Sequence, residues 1–159
     1  MAIPRTFINI GIWNIHGLFQ KVNNLKLCKL EDFEVQKRIK KFDIFCLQET
    51  QCGANEIKSS MSDFRIYPFQ RKISANNRYF GGSLLLIKKN IKDGVKIIDN
   101  SNADKVWIKI LKSFFNLKKD IYFCFSYAHH STPHTHKILT MISYKIWRKI
   151  LPNIAKRAM

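Results

Sequence analysis

A polar residue follows each of two apolar runs near the beginning of the chain. Asn14 comes directly after the run that starts at Phe7, and Glu49 comes shortly after the run that starts at Asp43. Both runs are typical of buried strands, so the two side chains are expected to emerge at strand ends. An amide oxygen and a carboxylate are hard-oxygen ligands suited to Mg²⁺. The pair therefore predicts a metal site of the kind that assists phosphoester chemistry.

Both residues also have an ordinary structural interpretation. Asparagine frequently caps a turn after a strand, which would account for Asn14 without any ligand. Glu49 at the end of an apolar strand could simply reach solvent. The two residues are nevertheless a pair at two strand ends, and this favours the metal interpretation.

Four histidines near residue 130 could suggest zinc. His129, His130, His134 and His136 follow the last β-like run. Zinc sites normally combine such histidines with cysteine or carboxylate ligands at suitable spacing, and none follows here. Solvated loop histidines are the favoured interpretation.

The elements that must position these residues are those of a mixed α/β domain. The pattern predicts a strand from Phe7 to Trp13, a polar loop over 17–29 and a helix from Asp32 to Lys41, capped by Asp32. A buried strand over 43–47 and a short helix over 55–61 come next. Five short β-like runs separated by turn residues follow, at 64–69, 82–87, 95–98, 106–111 and 121–127. Two β-α units followed by an antiparallel meander indicate stacked sheets.

The last part of the chain predicts a basic amphipathic helix over 138–157. Isoleucine recurs every four residues from Ile138 to Ile154, and the lysines and arginines fall between. Such a helix could dock its apolar stripe on a sheet or bind a polyanion or anionic lipid with its basic face. The regular stripe favours docking.

Composition indicates a single globular domain with a polyanionic partner. The 159 residues carry a net charge of +17, with no acidic residue after Asp120. This charge favours nucleic acid over an anionic membrane surface, although a biased base composition would also enrich lysine. Membrane-spanning or signal segments are not expected. The four cysteines lack paired spacing, which favours free thiols in a reducing nuclear or cytoplasmic compartment rather than secretion.

Four segments together resemble a known family. They are Ile10-Gly-Ile-Trp-Asn-Ile-His-Gly-Leu18, Phe42-Asp-Ile-Phe-Cys-Leu-Gln-Glu-Thr50, Gly81-Gly-Ser-Leu-Leu-Leu-Ile87 and Phe125-Ser-Tyr127. In order and spacing they resemble the endonuclease/exonuclease/phosphatase (DNase I-like) superfamily, and most closely the endonuclease domain of non-LTR, LINE-type retrotransposons. The resemblance covers residues 7–137.

The resemblance implies a fold and three site residues. The fold would be part of a four-layer α-β-β-α sandwich of mixed and antiparallel sheets. Glu49 would bind Mg²⁺, Asn14 would sit beside the metal and the scissile phosphate, and Tyr127 would hydrogen-bond a phosphate oxygen. An aromatic residue in a β-run is also commonly part of the core, so that interpretation of Tyr127 stays open.

Two elements of the family pattern have no counterpart in this sequence. The family continues with a Gly-Asp-x-Asn strand that orients the attacking water, and later with an Asp-His pair. The sequence contains no Gly-Asp dipeptide. The expectation is therefore an N-terminal piece of a Mg²⁺-dependent DNA endonuclease domain that is inactive by itself. The alternatives are a non-catalytic nucleic-acid-binding remnant and a relative of the superfamily's phosphatases of small phosphoesters.

Overall fold

The computed structural model describes residues 7–57, 61–70, 79–99, 102–127 and 141–147, the last segment by its backbone alone. Ten strands are found in these residues: β1 (Phe7–Asn14), β2 (Phe19–Val22), β3 (Leu25–Cys28), β4 (Ile44–Gln48), β5 (Phe64–Phe69), β6 (Ser83–Lys88), β7 (Val95–Asp99), β8 (Lys105–Ile110), β9 (Ile121–Ser126) and β10 (Met141–Trp147). The helices are α1 (Phe33–Ile39) and α2 (Lys112–Phe115), with 3₁₀ turns at Lys29–Glu31, Ala54–Glu56 and Lys89–Gly94. The fold is mixed α/β, as the sequence predicts, with most of its regular structure in strands.

Three sheets organise these strands. The largest has the order β10-β1-β4-β6-β5, in which β1 and β4 are parallel and the other neighbours are antiparallel. Strands β7, β8 and β9 form an antiparallel meander, and β2 and β3 form a hairpin. The structure confirms the strands predicted over 7–13 and 43–47 and the five later runs. No observed strand end differs from its predicted end by more than one residue.

Two apolar cores lie on opposite faces of the five-stranded sheet. On β4, Ile44 and Cys46 join a cluster with Val106, Ile108 and other residues of the three-stranded sheet. The alternate residues Phe45 and Leu47 join a second cluster, which includes residues of α1 and of the loop after β1. All of β4 is buried, as expected of a strand covered on both faces. One core therefore lies between the two larger sheets, and the other lies under α1.

Helix α1 begins where the sequence predicts and ends two residues earlier. The side chain of Asp32 accepts a hydrogen bond from the backbone N–H of Val35 at 3.0 Å, which caps the helix. The short helix predicted over 55–61 is reduced to the 3₁₀ turn Ala54–Glu56, and residues 58–60 lie outside the described part.

The prediction of a polar loop over 17–29 is wrong, because most of this segment forms a β-hairpin. Strands β2 and β3 pair from Phe19 and Cys28 to Val22 and Leu25. Asn23 and Asn24 connect them with positive φ angles of 48° and 66°, the conformation of a type I′ turn, which asparagine tolerates well. Strands of only four residues gave too short an alternation to be distinguished from a loop.

The helix predicted over 138–157 is also wrong where the structure describes it. Residues 141–147 form β10, which pairs antiparallel with β1. A four-residue spacing of isoleucines is a multiple of two, so it fits a strand as well as a helix. Residues 138–140 and 148–157 lie outside the described segments, as do the four histidines at 129, 130, 134 and 136.

The described helices include none that is long and apolar enough to cross a membrane. The four cysteines are free thiols, in agreement with their spacing in the sequence. Cys46 and Cys52 are buried, and Cys28 and Cys124 are partly buried.

Candidate functional site

Asn14 and Glu49 lie at the same edge of the five-stranded sheet. Strands β1 and β4 are parallel neighbours whose last pair is Asn14 with Gln48, and Glu49 follows directly. Neighbouring parallel strands place their carboxyl ends together, so the pairing of β1 with β4 brings these two positions close. This is the arrangement that the sequence predicts.

Backbone hydrogen bonds fix the two segments that follow β1 and β4 against each other. The amides of Ile15, Gly17 and Leu18 donate to the carbonyl oxygens of Gln48, Glu49 and Thr50 at 3.0, 2.6 and 2.7 Å, respectively. Three backbone hydrogen bonds therefore hold the loop after Asn14 against the loop after Gln48.

A pair of glycines supports the other side of the Glu49 segment. The carbonyl oxygens of Gly82 and Gly81 accept hydrogen bonds from the amides of Thr50 and Gln51 at 3.2 and 2.9 Å. Gly82 has a φ of +81°, and a Cβ there would lie 3.1 Å from the carbonyl oxygen of Phe69. Both the backbone conformation and the close approach favour glycine.

Glu49 is held in a conformation that its residue type rarely adopts. Its φ is +55°, in the left-handed region, and its side chain is only 6% exposed. A buried carboxylate with positive φ persists only when its surroundings enforce it, at a cost of about 1–3 kcal/mol, and such strain is typical of functional sites. The alternative that Glu49 merely reaches solvent is wrong.

Tyr127 joins the site from the three-stranded sheet. It follows β9, and its amide donates to the carbonyl oxygen of Asp104 at 2.9 Å. Its hydroxyl hydrogen-bonds to the side chains of Glu49 and Asn14. Three residues from two stacked sheets therefore converge on one point.

The environment of Tyr127 keeps its hydroxyl protonated. Burial, followed by the hydrogen bond to Glu49 and its negative charge, raises the pKa of Tyr127 to about 12, with a weaker contribution from Asp104. The hydrogen bond from Asn14 acts in the opposite direction. Tyr127 is thus a hydrogen-bond donor at neutral pH and not a base.

His16 is a member of the site that the sequence analysis treated only as part of a motif. Its Nδ1 lies 3.3 Å from Oε2 of Glu49, and its backbone N–H donates to Oδ1 of Asn14 at 3.1 Å. Asn14 therefore does cap the turn after β1, as its ordinary interpretation predicts, and it also reaches Tyr127. His16 has a φ of +49°, so its place beside Glu49 depends on a loop conformation that the sequence pattern does not reveal.

Lys29 holds the same turn from the hairpin. Its Nζ donates to the carbonyl oxygens of Ile15 and His16 at 2.7 and 3.4 Å. Partial burial lowers the pKa of its ammonium group. The hairpin that the sequence analysis missed is therefore one of the elements that fix the site.

Gln48 adds an unsatisfied donor next to Glu49. Its Nε2 atom is buried and has no hydrogen-bond partner in the structure as described. A buried amide without a partner is costly, and such groups are usually satisfied by a water, an ion or a ligand.

The donor set is compatible with Mg²⁺. In the described residues, no three His, Cys, Asp or Glu side chains are grouped to hold a metal. Glu49 and the amide oxygen of Asn14 nevertheless provide a carboxylate and a neutral oxygen with a second lone pair. Mg²⁺ commonly takes only one or two carboxylates and keeps several waters. Zinc would require more nitrogen or sulfur ligands.

Comparison with known proteins yields no match to a family model and no significant match to a curated protein or to a solved structure.

Proposed function

We propose that Asn14, Glu49 and Tyr127 form part of a Mg²⁺-dependent site for phosphodiester chemistry on DNA, of the type found in the endonuclease/exonuclease/phosphatase superfamily. The observation that carries this proposal is the convergence of the three side chains, because Tyr127 comes from a different sheet and its hydroxyl reaches both other residues. These are the residues to which the sequence resemblance gives metal and phosphate roles.

Each residue has a role that follows from its chemistry. Glu49 and the amide oxygen of Asn14 would hold the metal, which when bound would stabilise negative charge on the phosphoryl and leaving oxygens. Tyr127 keeps its proton and would donate a hydrogen bond to a phosphate oxygen. The imidazole of His16 would orient the carboxylate of Glu49.

The fold supports the same proposal. An apolar core between two sheets, and a second core under α1, correspond to three successive layers of the α-β-β-α sandwich. We propose that the domain is such a four-layer sandwich, with the site at the edge where β1, β4 and β9 end.

Hydrolysis by this chain alone is proposed to be below detection. The Gly-Asp-x-Asn strand and the Asp-His pair have no counterpart in the sequence, and after Asp120 there is no carboxylate to act as a base. Loss of single groups of this kind commonly costs about 10² to 10⁴ in rate. The chain is therefore proposed to bind metal and phosphate without efficient turnover.

Metal binding by the intact chain tests this function. Millimolar Mg²⁺ is expected to raise the melting temperature, since a ligand that binds only the folded state stabilises it. Glu49→Gln, which keeps the size of the side chain, should abolish this shift. Glu34→Gln, which changes an exposed side chain on α1, should leave the shift unchanged. A shift that is unchanged in Glu49→Gln would refute the site.

The same preparation should not nick supercoiled DNA when Mg²⁺ is added. Nicking that disappears in Glu49→Gln would contradict the proposed inactivity and support a complete active site. Nicking that persists in the variant would indicate a contaminant.

Charge favours a second candidate function, nucleic-acid binding without catalysis. The net charge of +17 predicts affinity for DNA that falls steeply with salt and is unaffected by chelators. Affinity that is insensitive to salt would exclude it.

A further inference from the structure

The outer face of the three-stranded sheet carries alternating lysines and large aromatic residues. On β8 the buried residues Val106, Ile108 and Ile110 alternate with Lys105, Trp107 and Lys109. Trp107 is 39% exposed, and Tyr122 on the neighbouring strand is 59% exposed. The buried residues of β8 face the five-stranded sheet, so Lys105, Trp107 and Lys109 lie on the opposite, outer face. Exposing two large aromatic rings on this face is unfavourable unless they bind a partner.

The two rings are neighbours on this face. Trp107 pairs with Cys124, and Tyr122 pairs with Lys109, so Trp107 and Tyr122 are diagonal neighbours across β8 and β9. Such positions lie about 7–8 Å apart. The Nζ of Lys109 lies 5.5 Å from the centre of the Tyr122 ring, a cation–π contact that keeps a positive charge beside an exposed ring.

Positive charge is concentrated beside the rings. Lys96 on β7 is directly opposite Lys109 on β8. Like charges at opposed positions destabilise a sheet, and here Asp120 offsets only part of the charge through its 2.9 Å ion pair with Lys109. A pair of facing lysines is unfavourable for the sheet by itself but suited to a bound polyanion.

We propose that this aromatic–lysine face, formed by Lys96, Lys105, Trp107, Lys109 and Tyr122, binds single-stranded nucleic acid. Unpaired bases stack on the rings of Trp107 and Tyr122, and the lysines contact the phosphates. Bases in a duplex are already stacked on each other and would present only phosphates to this face. The proposal is independent of the metal site, because it needs neither Glu49 nor a metal ion.

Binding of a fluorescent oligothymidylate of about 12 nucleotides, measured by anisotropy in the presence of a chelator, tests the proposal. The intact chain should bind it, and Trp107→Ala and Tyr122→Ala should each weaken binding about tenfold. Lys96→Gln and Lys109→Gln should each reduce the dependence of affinity on salt. Because a chelator is present throughout, binding that depends on Trp107 and Tyr122 does not require a metal ion at Glu49, which separates this face from the metal site.

Helix α1 offers a matched control. Phe33 is 73% exposed there, and Nζ of Lys37 lies 5.9 Å from the centre of its ring. This pair repeats the aromatic–lysine contact on the other side of the five-stranded sheet. Because this pair lies away from the proposed face, Phe33→Ala and Lys37→Gln should change the affinity for the oligothymidylate less than twofold. Circular dichroism should show that all variants are folded.

Three results would overturn the proposal. The first is that folded Trp107→Ala and Tyr122→Ala bind the oligothymidylate with the same affinity as the unchanged chain. The second is binding of a duplex that depends on Trp107 to the same degree. The third is a dimer of the intact chain in sedimentation that becomes monomeric in Trp107→Ala, because the face would then be a contact between two copies.

Discussion

The hydroxyl of Tyr127 at the end of the three-stranded sheet hydrogen-bonds to the carboxylate of Glu49 at the end of the five-stranded sheet. This contact joins the two sheets at the edge where the candidate site lies. It also links the protonation of Tyr127 to the packing of the fold, because a tyrosinate beside the Glu49 carboxylate would place two negative charges together.

Tyr127 is expected to titrate well above an ordinary tyrosine. Its pKa is raised from 10.0 to about 12, so the folded chain keeps a proton that the unfolded chain loses. The stability that this provides is fully present below about pH 10 and is lost as pH rises through about 12. In chelating buffer, the tyrosinate absorbance of the folded protein minus that of Tyr127→Phe should show this midpoint. A midpoint near 10 would contradict the contact.

The buried ion pair at the opposite end of β4 is expected to contribute strongly to stability. Asp43 is buried, accepts a hydrogen bond from the amide of Asn9 at 3.0 Å and pairs with Nζ of Lys88 at 3.2 Å. Asp43→Ala leaves a partly buried lysine without its partner and should lower the free energy of unfolding by about 3 kcal/mol.

Urea denaturation of the variant measures this loss. Glu34→Ala is the control, since Glu34 pairs with Lys37 on the exposed surface of α1 and should cost less than about 0.5 kcal/mol. Similar effects of the two substitutions would show that the Asp43 pair has no special role.

Gly11 in β1 is expected to tolerate no side chain. A Cβ there would lie 2.5 Å from ring atoms of Phe45 and 2.9 Å from Phe42. Because Phe45 is fully buried, Gly11→Ala should destabilise the fold by about 1–3 kcal/mol. The double variant Gly11→Ala/Phe45→Leu should lose less than the sum of the two single losses, since the smaller side chain relieves the clash. Losses that add in the double variant would argue against a steric clash between a side chain at position 11 and Phe45.

The buried thiols are expected to react slowly in the folded state. Burial raises the pKa of Cys52 to about 11, and it raises the pKa of Cys46 further. At pH 8 their thiolate fractions are therefore very small, and the thiolate is the reactive form. Aromatic disulfide reagents should modify Cys28 and Cys124 first and all four cysteines equally in urea. Rapid modification of Cys46 in folded protein would show that β4 opens readily.

Much of the strand structure is predictable because it is local. The strands from β4 to β9 carry continuous or alternating apolar residues bounded by turn residues, and these patterns predict their positions closely. The hairpin β2–β3 and strand β10 were missed for physical reasons. Four-residue strands contain too few repeats, and a four-residue spacing of isoleucines fits two periodicities.

The residues of the candidate site also fall into two groups, those that local sequence patterns indicate and those that only the tertiary structure places. The two strands and the polar residues at their ends are predictable from local patterns, and the parallel pairing of β1 with β4 then brings Asn14 and Glu49 together. Tyr127 reaches them only because one sheet packs on another, which no local pattern specifies. The positions of His16 and Lys29 depend on a loop with positive φ angles and on the missed hairpin, so sequence patterns could not place them.

Strand β1 lies between β4 and β10, so the first strand described pairs on one side with the last strand described. During synthesis, Met141 is added on the order of ten seconds after Trp13 at ordinary ribosomal rates. Until then, one edge of β1 has unpaired backbone groups, beside apolar residues that will later be buried. Because an exposed edge can pair with another chain, we expect the yield of folded protein to rise with chaperones or with slow growth at low temperature.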